Sequence, residues 1–307
     1  MAKAPSSLAS AQPGLPKRLW ERPAARTALC ILSLLALAAL IGPLLLGIDP
    51  AATGPDTFSP PSSRHLLGTD VNGRDLLARI LQGARVSLTV GIAGAAVSLV
   101  VGTLYGLVSG YAGGQVDNTM MRLLEILYAI PRLILIILAT FVLDPLLQRY
   151  LGQGAGRNLL AYSRILILIF SLGLIEWLTM ARIVRGQVLA LREATFVTAA
   201  RALGQSHLRI LFRHLLPNLL GVVVVYLTLT VPAVILDESF LSFLGLGVQP
   251  PHASWGTLLA DGAQAINPVR SHWWLLLFPA TAMSLTLLSL NFLGDALRDA
   301  LDPRDKS

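Results

Sequence analysis

Six stretches of roughly twenty apolar residues recur along the 307-residue chain, and no other feature narrows its fold as much. A bilayer core about 30 Å thick is crossed by about 20 helical residues rising 1.5 Å each. The stretches run from about Thr27 to Ile48, Val86 to Ser109, Asn118 to Asp144, Ile165 to Ile183, Leu219 to Leu236 and Trp273 to Leu293. The third begins polar, becomes strongly apolar from Leu133 and contains Pro131, a candidate kink. With 54% hydrophobic and 13% charged residues, against about 25% charged in soluble domains, the expectation is an all-α integral membrane protein with six spans.

The first span follows a 26-residue tail and is too long for the apolar core of a secretory signal, so it reads as a retained anchor. The tail carries Lys17, Arg18, Arg22 and Arg26 among Pro, Ser and Ala, and has too little apolar pattern to fold alone. The resulting division is residues 1–26 as a cytoplasmic tail, 27–48 as the first span, 49–85 as an extracytoplasmic loop and 86–307 as a five-span core. An even number of spans puts both termini on one side. Placing them in the cytoplasm puts fifteen Lys and Arg inside and eight outside, with Arg132 within a span, as the positive-inside rule favours. The net charge of +7 therefore reports topology and gives no reason to expect a nucleic-acid partner.

Energy coupling and catalysis leave no signature here. A phosphate-cradling GxxxxGK[ST] loop needs a lysine after glycine, whereas Lys3, Lys17 and Lys306 follow Ala2, Pro16 and Asp305. The five histidines contain no i, i+4 pair, the single Cys30 excludes paired-thiol chemistry, and no Gly-x-Ser-x-Gly elbow occurs. No catalytic, metal or cofactor-binding residue is expected.

Ionisable residues within spans are default functional candidates, because burying them without a partner costs several kcal/mol. Glu125 and Arg132 lie seven apart, on one face of a continuous third helix, and are candidates for a gate or pathway wall. Glu176, mid-span in the fourth segment, is a third. Asp237 and Glu238 read as a solvated outer end of span five, and Trp255, Trp273 and Trp274 as an aromatic belt.

Between spans four and five, residues 192–217 combine a helix-favouring alanine run, Gly204 as a breaker, and a second helical stretch with Leu208, Leu211, Phe212 and Leu215 on one face. Two short helices joined at Gly204 are expected, with Pro217 in the first turn of span five. Read physically, this is either a basic loop lying on anionic lipid or a docking element.

The segment resembles the EAA loop of the membrane subunits of ATP-binding-cassette importers: EAA, three residues, Gly, nine residues, I-x-L-P. Thr198, Ala199, Ala200, Gly204, Leu216 and Pro217 occupy its positions, with Thr198 in place of the glutamate and His214 in place of the isoleucine. Five further stretches, His65–Asp75, Met121–Pro131, Met180–Gly186, Glu238–Gly247 with Ser254–Gly256, and Gly294–Pro303, are similar to the second permease of the dipeptide, oligopeptide and nickel importers. The resemblance implies the type I importer permease fold, an N-terminal helix against a five-helix core, in a bacterial inner membrane. It implies a heterodimer with a homologous permease, an extracytoplasmic solute-binding protein above, and two ATP-binding subunits below that hold ATP and Mg and engage the EAA loop. Short peptides are the implied cargo, with nickel or another small solute as the alternative. An ion-coupled secondary transporter is the alternative of a different class, although the two three-span halves show no inverted repeat.

Overall fold

The computed structural model describes residues 19–151, 162–266 and 270–301. The sequence reading of residues 1–18, and of the last two residues of the Gly294–Pro303 stretch, lies outside these. Helices α1 (Pro23–Leu46), α2 (Leu76–Ala112), α3 (Gly114–Ala129), α4 (Arg132–Leu151), α5 (Ser163–Leu191), α6 (Thr195–Ala202), α7 (His207–Phe243), α8 (Trp255–Gln264) and α9 (Trp274–Leu301) follow in order. Of these, α1, α2, α4, α5, α7 and α9 are long and apolar enough to cross a membrane.

The centre of the bundle is α2, at 37 residues about 55 Å long and far longer than the bilayer core. It carries two ladders of small residues at intervals of four. Gly94, Ser98, Gly102, Gly106 and Gly110 face α5, where a Cβ on Gly106 would lie 2.5 Å from the Ala181 carbonyl and one on Gly102 would lie 2.6 Å from the Met180 Cβ. Gly83, Ser87, Gly91 and Ala95 face α7 and α8, where a Cβ on Gly91 would lie 2.6 Å from Ile235 and one on Gly83 3.1 Å from the Ser254–Trp255 backbone. Lipid offers no hydrophobic drive for helix association, so close backbone approach through small residues supplies the packing. The fourfold spacing keeps each ladder on one helix face.

α2 starts at Leu76, ten residues before the expected Val86, so the loop after α1 ends at Asp75 rather than at residue 85. The ten added residues carry two arginines, and both are satisfied by tertiary partners. Arg79 donates to Asp70 at 2.6 Å and to Asp261 at 3.2 Å. Arg85 donates to the carbonyls of Ala39 and Leu40 on α1. Pro43 has no N–H to give the Ala39 carbonyl four residues earlier, and the guanidinium takes that place. Asp75 caps the helix by accepting from the Ala78 amide at 3.0 Å.

The third apolar stretch is two helices, not one kinked helix. Ile130 precedes proline and takes an extended conformation, φ −86° and ψ 131°, which ends α3 before α4 begins at Arg132.

The end of the bundle at which α2 begins is closed by α8, whose Ser254 and Thr257 form a capping box. Trp255, the first residue of α8, and Trp274 are buried in one core cluster, leaving Trp273 as the exposed member of the expected belt. Glu238 is likewise fully buried instead of marking a solvated end. It accepts from Ser87 at 3.1 Å and Ser242 at 2.7 Å, while Ser87 also accepts from the Trp255 amide at 3.2 Å. This network joins α2, α7 and the start of α8, and α7 runs past Glu238 to Phe243.

Candidate functional site

At the end of the bundle opposite α8, α5 stops at Leu191 and the chain turns into α6. Arg192 holds the turn by donating to the Gly110 carbonyl at 3.2 Å and to Glu193 at 3.0 Å. Val197 and Ala200 of α6 are buried against Ile210, Leu211 and Leu215, in a cluster with Leu107, Val184 and Val188 of α2 and α5. Ala199, by contrast, is exposed.

Gly204 sits at the joint for a reason its backbone makes plain. Its N–H bonds the Arg201 carbonyl and the Gln205 N–H bonds the Ala200 carbonyl, each bond closing the last turn of α6, with Gly204 at φ +72°. This is a Schellman ending, which requires the left-handed conformation that glycine adopts without a Cβ clash. Nothing lies within 4 Å of where a Gly204 Cβ would be, so the constraint is conformational and the surrounding space is open.

After the joint the chain enters α7 directly, so the expected second short helix and span five are one 37-residue element. Residues Ile210–Leu215 form a π-helical turn, with the Leu216 amide bonding the Leu211 carbonyl. Pro217 has no N–H for the ordinary ladder and follows directly on this wider turn, where the Asn218 side chain also donates to the His214 carbonyl at 2.6 Å. The turn also divides the expected apolar face. Leu211 and Leu215 are buried with Ile210, while Leu208 and Phe212 are exposed.

The two departures from the EAA pattern have definite contacts. Thr198 turns its hydroxyl back to the Thr195 carbonyl at 2.9 Å, and His214 Nε2 meets Gln205 Oε1 at 2.8 Å, tying α7 to the joint. Leu216 is half-buried and Pro217 exposed.

Within the membrane, the break at Pro131 separates Glu125 from Arg132. Arg132, at the start of α4, pairs with both Glu176 of α5 and Asp237 of α7, so one guanidinium and two carboxylates tie three helices together. Asp237 belongs to this site rather than to a solvated end, a placement that hydropathy could not indicate. Glu125 is exposed and lines a groove of about 690 Å³ with Asn118, Met121, Arg122, Arg182 and Arg185. Between the two sites, Tyr128 bonds Thr179 at 2.9 Å and lies under the Arg182 guanidinium at 4.3 Å. Near the start of α3, Asp117 receives Arg185 at 2.5 and 2.6 Å and Ser109 at 2.5 Å. The Arg185 bond, chiefly, holds the Asp117 carboxyl below its ordinary range against the opposing effect of burial.

Known proteins with this organisation are transport subunits. The dipeptide transport permease DppC of Bacillus subtilis is 43% identical over 94% of this chain and 84% of its own length. The oligopeptide transport permease OppC of Escherichia coli K12 is 47% identical over 94% of this chain and 90% of its own length. A solved inward-facing MetNI methionine ABC transporter shares the fold over 73% of this chain and 96% of its own, with a TM-score of 0.55 at 18% identity. Residues 78–306 match the family described as the inner membrane component of binding-protein-dependent transport systems, and that is the family to which this chain belongs.

Proposed function

We propose that the chain is one permease half of an ATP-driven importer for short peptides, paired with a homologous permease chain, served by an extracytoplasmic solute-binding protein and driven by two separate ATP-binding subunits. The peptide assignment rests on the dipeptide and oligopeptide permeases named above. ATP and Mg belong to the partners, because none of the three lysines stands in a P-loop. Both termini lie in the cytoplasm, in line with the charge asymmetry.

The observation that carries the coupling role is the continuity of α7. One helix starts in the cytoplasmic joint beside Gly204 and reaches Asp237, a partner of Arg132. Displacement of the α6–α7 joint by closing ATPases is thereby transmitted to the contact between α7 and α4. Thr198, Ala199, Ala200, Gly204, Leu216 and Pro217 form the coupling element. Arg132, Glu176 and Glu125, joined by Asp237, form the wall or gate of the pathway. Breaking a pair in this region exposes a charge to low dielectric, so the triad holds one state until the lever moves.

The test separates assembly from transport. In the complete complex reconstituted in proteoliposomes, Gly204→Trp inserts normally but abolishes uptake of labelled peptide, because the indole adds bulk on the open side of a strained joint. Wild-type uptake by this variant, with the ATPase bound, would overturn the coupling role. Wild-type accumulation of nickel in place of peptide would move the cargo assignment, and uptake by the lone chain would remove the importer reading altogether. With Cys30→Ser as background, Ser63→Cys is labelled by an impermeant thiol reagent outside intact cells and Ser206→Cys is not. Labelling of Ser206→Cys would invert the topology.

A further inference from the structure

The charge of the coupling element identifies the chemistry of its partner. Residues 192–217 contain four arginines and one carboxylate, Glu193, which Arg192 already engages at 3.0 Å. Arg201, Arg209 and Arg213 are exposed, and none makes an ion pair among the described residues. In the same element Leu203 is 81%, Leu208 67% and Phe212 52% exposed. Beside it, a cavity of about 670 Å³ is lined by Tyr111, Ala112, Arg192, Glu193, Arg201 and His207. Its wall is held by the Tyr111 hydroxyl against His207 Nδ1 at 2.9 Å and by Arg201 stacked over the Tyr111 ring at 5.0 Å.

The position where the resembled pattern places a glutamate offers no charge here, since Thr198 bonds its own helix. An interface built on a carboxylate at position 198 is therefore absent, while three cations and a cavity edged by Arg201 are present.

From this we infer that the coupling element docks on an ATPase surface whose apolar socket is rimmed by carboxylates, one of which enters the Tyr111–Arg201–His207 cavity. The inference rests on the coupling role proposed above and adds its polarity: cations on the permease, anions on the ATPase. Like-charged rims would repel, so the arrangement also selects the cognate ATPase among those a cell makes. Rim charges act mostly through association rate and salt dependence, while the apolar centre supplies the affinity that salt does not remove.

The experiment uses the permease heterodimer in nanodiscs of phosphatidylcholine, with purified ATPase subunits titrated at about 0.05 M and about 0.5 M NaCl. Wild-type affinity falls about tenfold between the two salts, and the triple variant Arg201→Gln, Arg209→Gln, Arg213→Gln shows the high-salt affinity at both. Leu203→Ser weakens binding at both salts. Salt-independent wild-type binding, or a triple variant that keeps the wild-type salt response, overturns the polarity assignment. A salt response that appears only when phosphatidylglycerol is added assigns the cations to lipid and overturns it equally. If neither Leu203→Ser nor the triple variant changes ATPase affinity, the coupling role itself fails.

Discussion

Arg79 and Arg201 stand at opposite ends of the same bundle and meet opposite fates. Around Arg79, the outer segment from His65 to Arg79 consumes its own charges. Asp70 accepts from Arg74 at 2.7 Å and from Arg79 at 2.6 Å, Asp75 accepts from the Ala78 amide and meets His65 Nδ1 at 3.0 Å, and Asp261 completes the set from α8. Around Arg201, the inner segment leaves three guanidinium groups and a row of large apolar side chains facing outward. Saturated valence makes the outer segment a closed clasp over α2, α8 and α9, whose Trp274 donates to the Thr69 carbonyl at 3.4 Å. Unsaturated valence makes the inner one a surface waiting for a partner. Composition already points to the difference, since His65–Arg79 carries two aspartates for its two arginines whereas residues 192–217 carry four arginines and one glutamate.

The sharpest way to break this comparison is to remove what both ends hang on. Gly106→Leu would force a Cβ into the Ala181 backbone, where no flexible side chain can yield, so α2 and α5 must part. A loss of at least about 3 kcal/mol is expected, read as failure to recover assembled complex from detergent extracts. A normal yield would show that the small-residue ladder does not set the spacing.

Arg79→Gln tests the closed end. It leaves Asp70 short of a buried cation and should cost about 3 kcal/mol, seen as a lowered melting temperature of the purified complex. The loss should appear even without ATPase subunits, because the clasp is internal.

The Asp117–Arg185 pair tests the inner end below the coupling surface. Because Arg185 depresses the Asp117 pKa, the folded state binds this proton less readily than the unfolded state. The stability it contributes is therefore fully present at neutral pH and is lost as pH falls through the depressed value. Asp117→Asn should lower stability by about 2 kcal/mol at pH 7 and flatten the acid limb of a melting-temperature against pH curve. An unchanged acid limb would assign that limb to other carboxylates.

The smallest effect is expected at the open end. Arg201→Gln should change melting temperature by less than about 0.5 kcal/mol equivalent, since the side chain is exposed and makes no ion pair among the described residues. A large loss in the isolated permease would show that this cation serves the fold, and would erase the contrast with Arg79.

Some of this was legible without coordinates. Six spans follow from transfer energetics, because about 20 apolar residues have few alternatives to crossing a bilayer. Gly204 was legible because an alanine run ending in glycine is a helix terminus on local grounds, and the His65–Asp75 and EAA-like stretches announced the family. The start of α2 at Leu76, the burial of Glu238, the Arg132–Glu176–Asp237 triad and the split of Leu208 and Phe212 from Leu211 and Leu215 were not. Hydropathy treats each charge as though it were transferred to lipid alone. In the bundle Arg79 meets Asp261 across 182 residues and Arg132 meets Asp237 across 105. The sequence by itself determined how many helices are long and apolar enough to cross and the break at Gly204, since those depend on local transfer and backbone terms. Tertiary structure alone decided which charges are spent inside the fold and which remain for a partner, because that depends on distances between residues the chain keeps far apart.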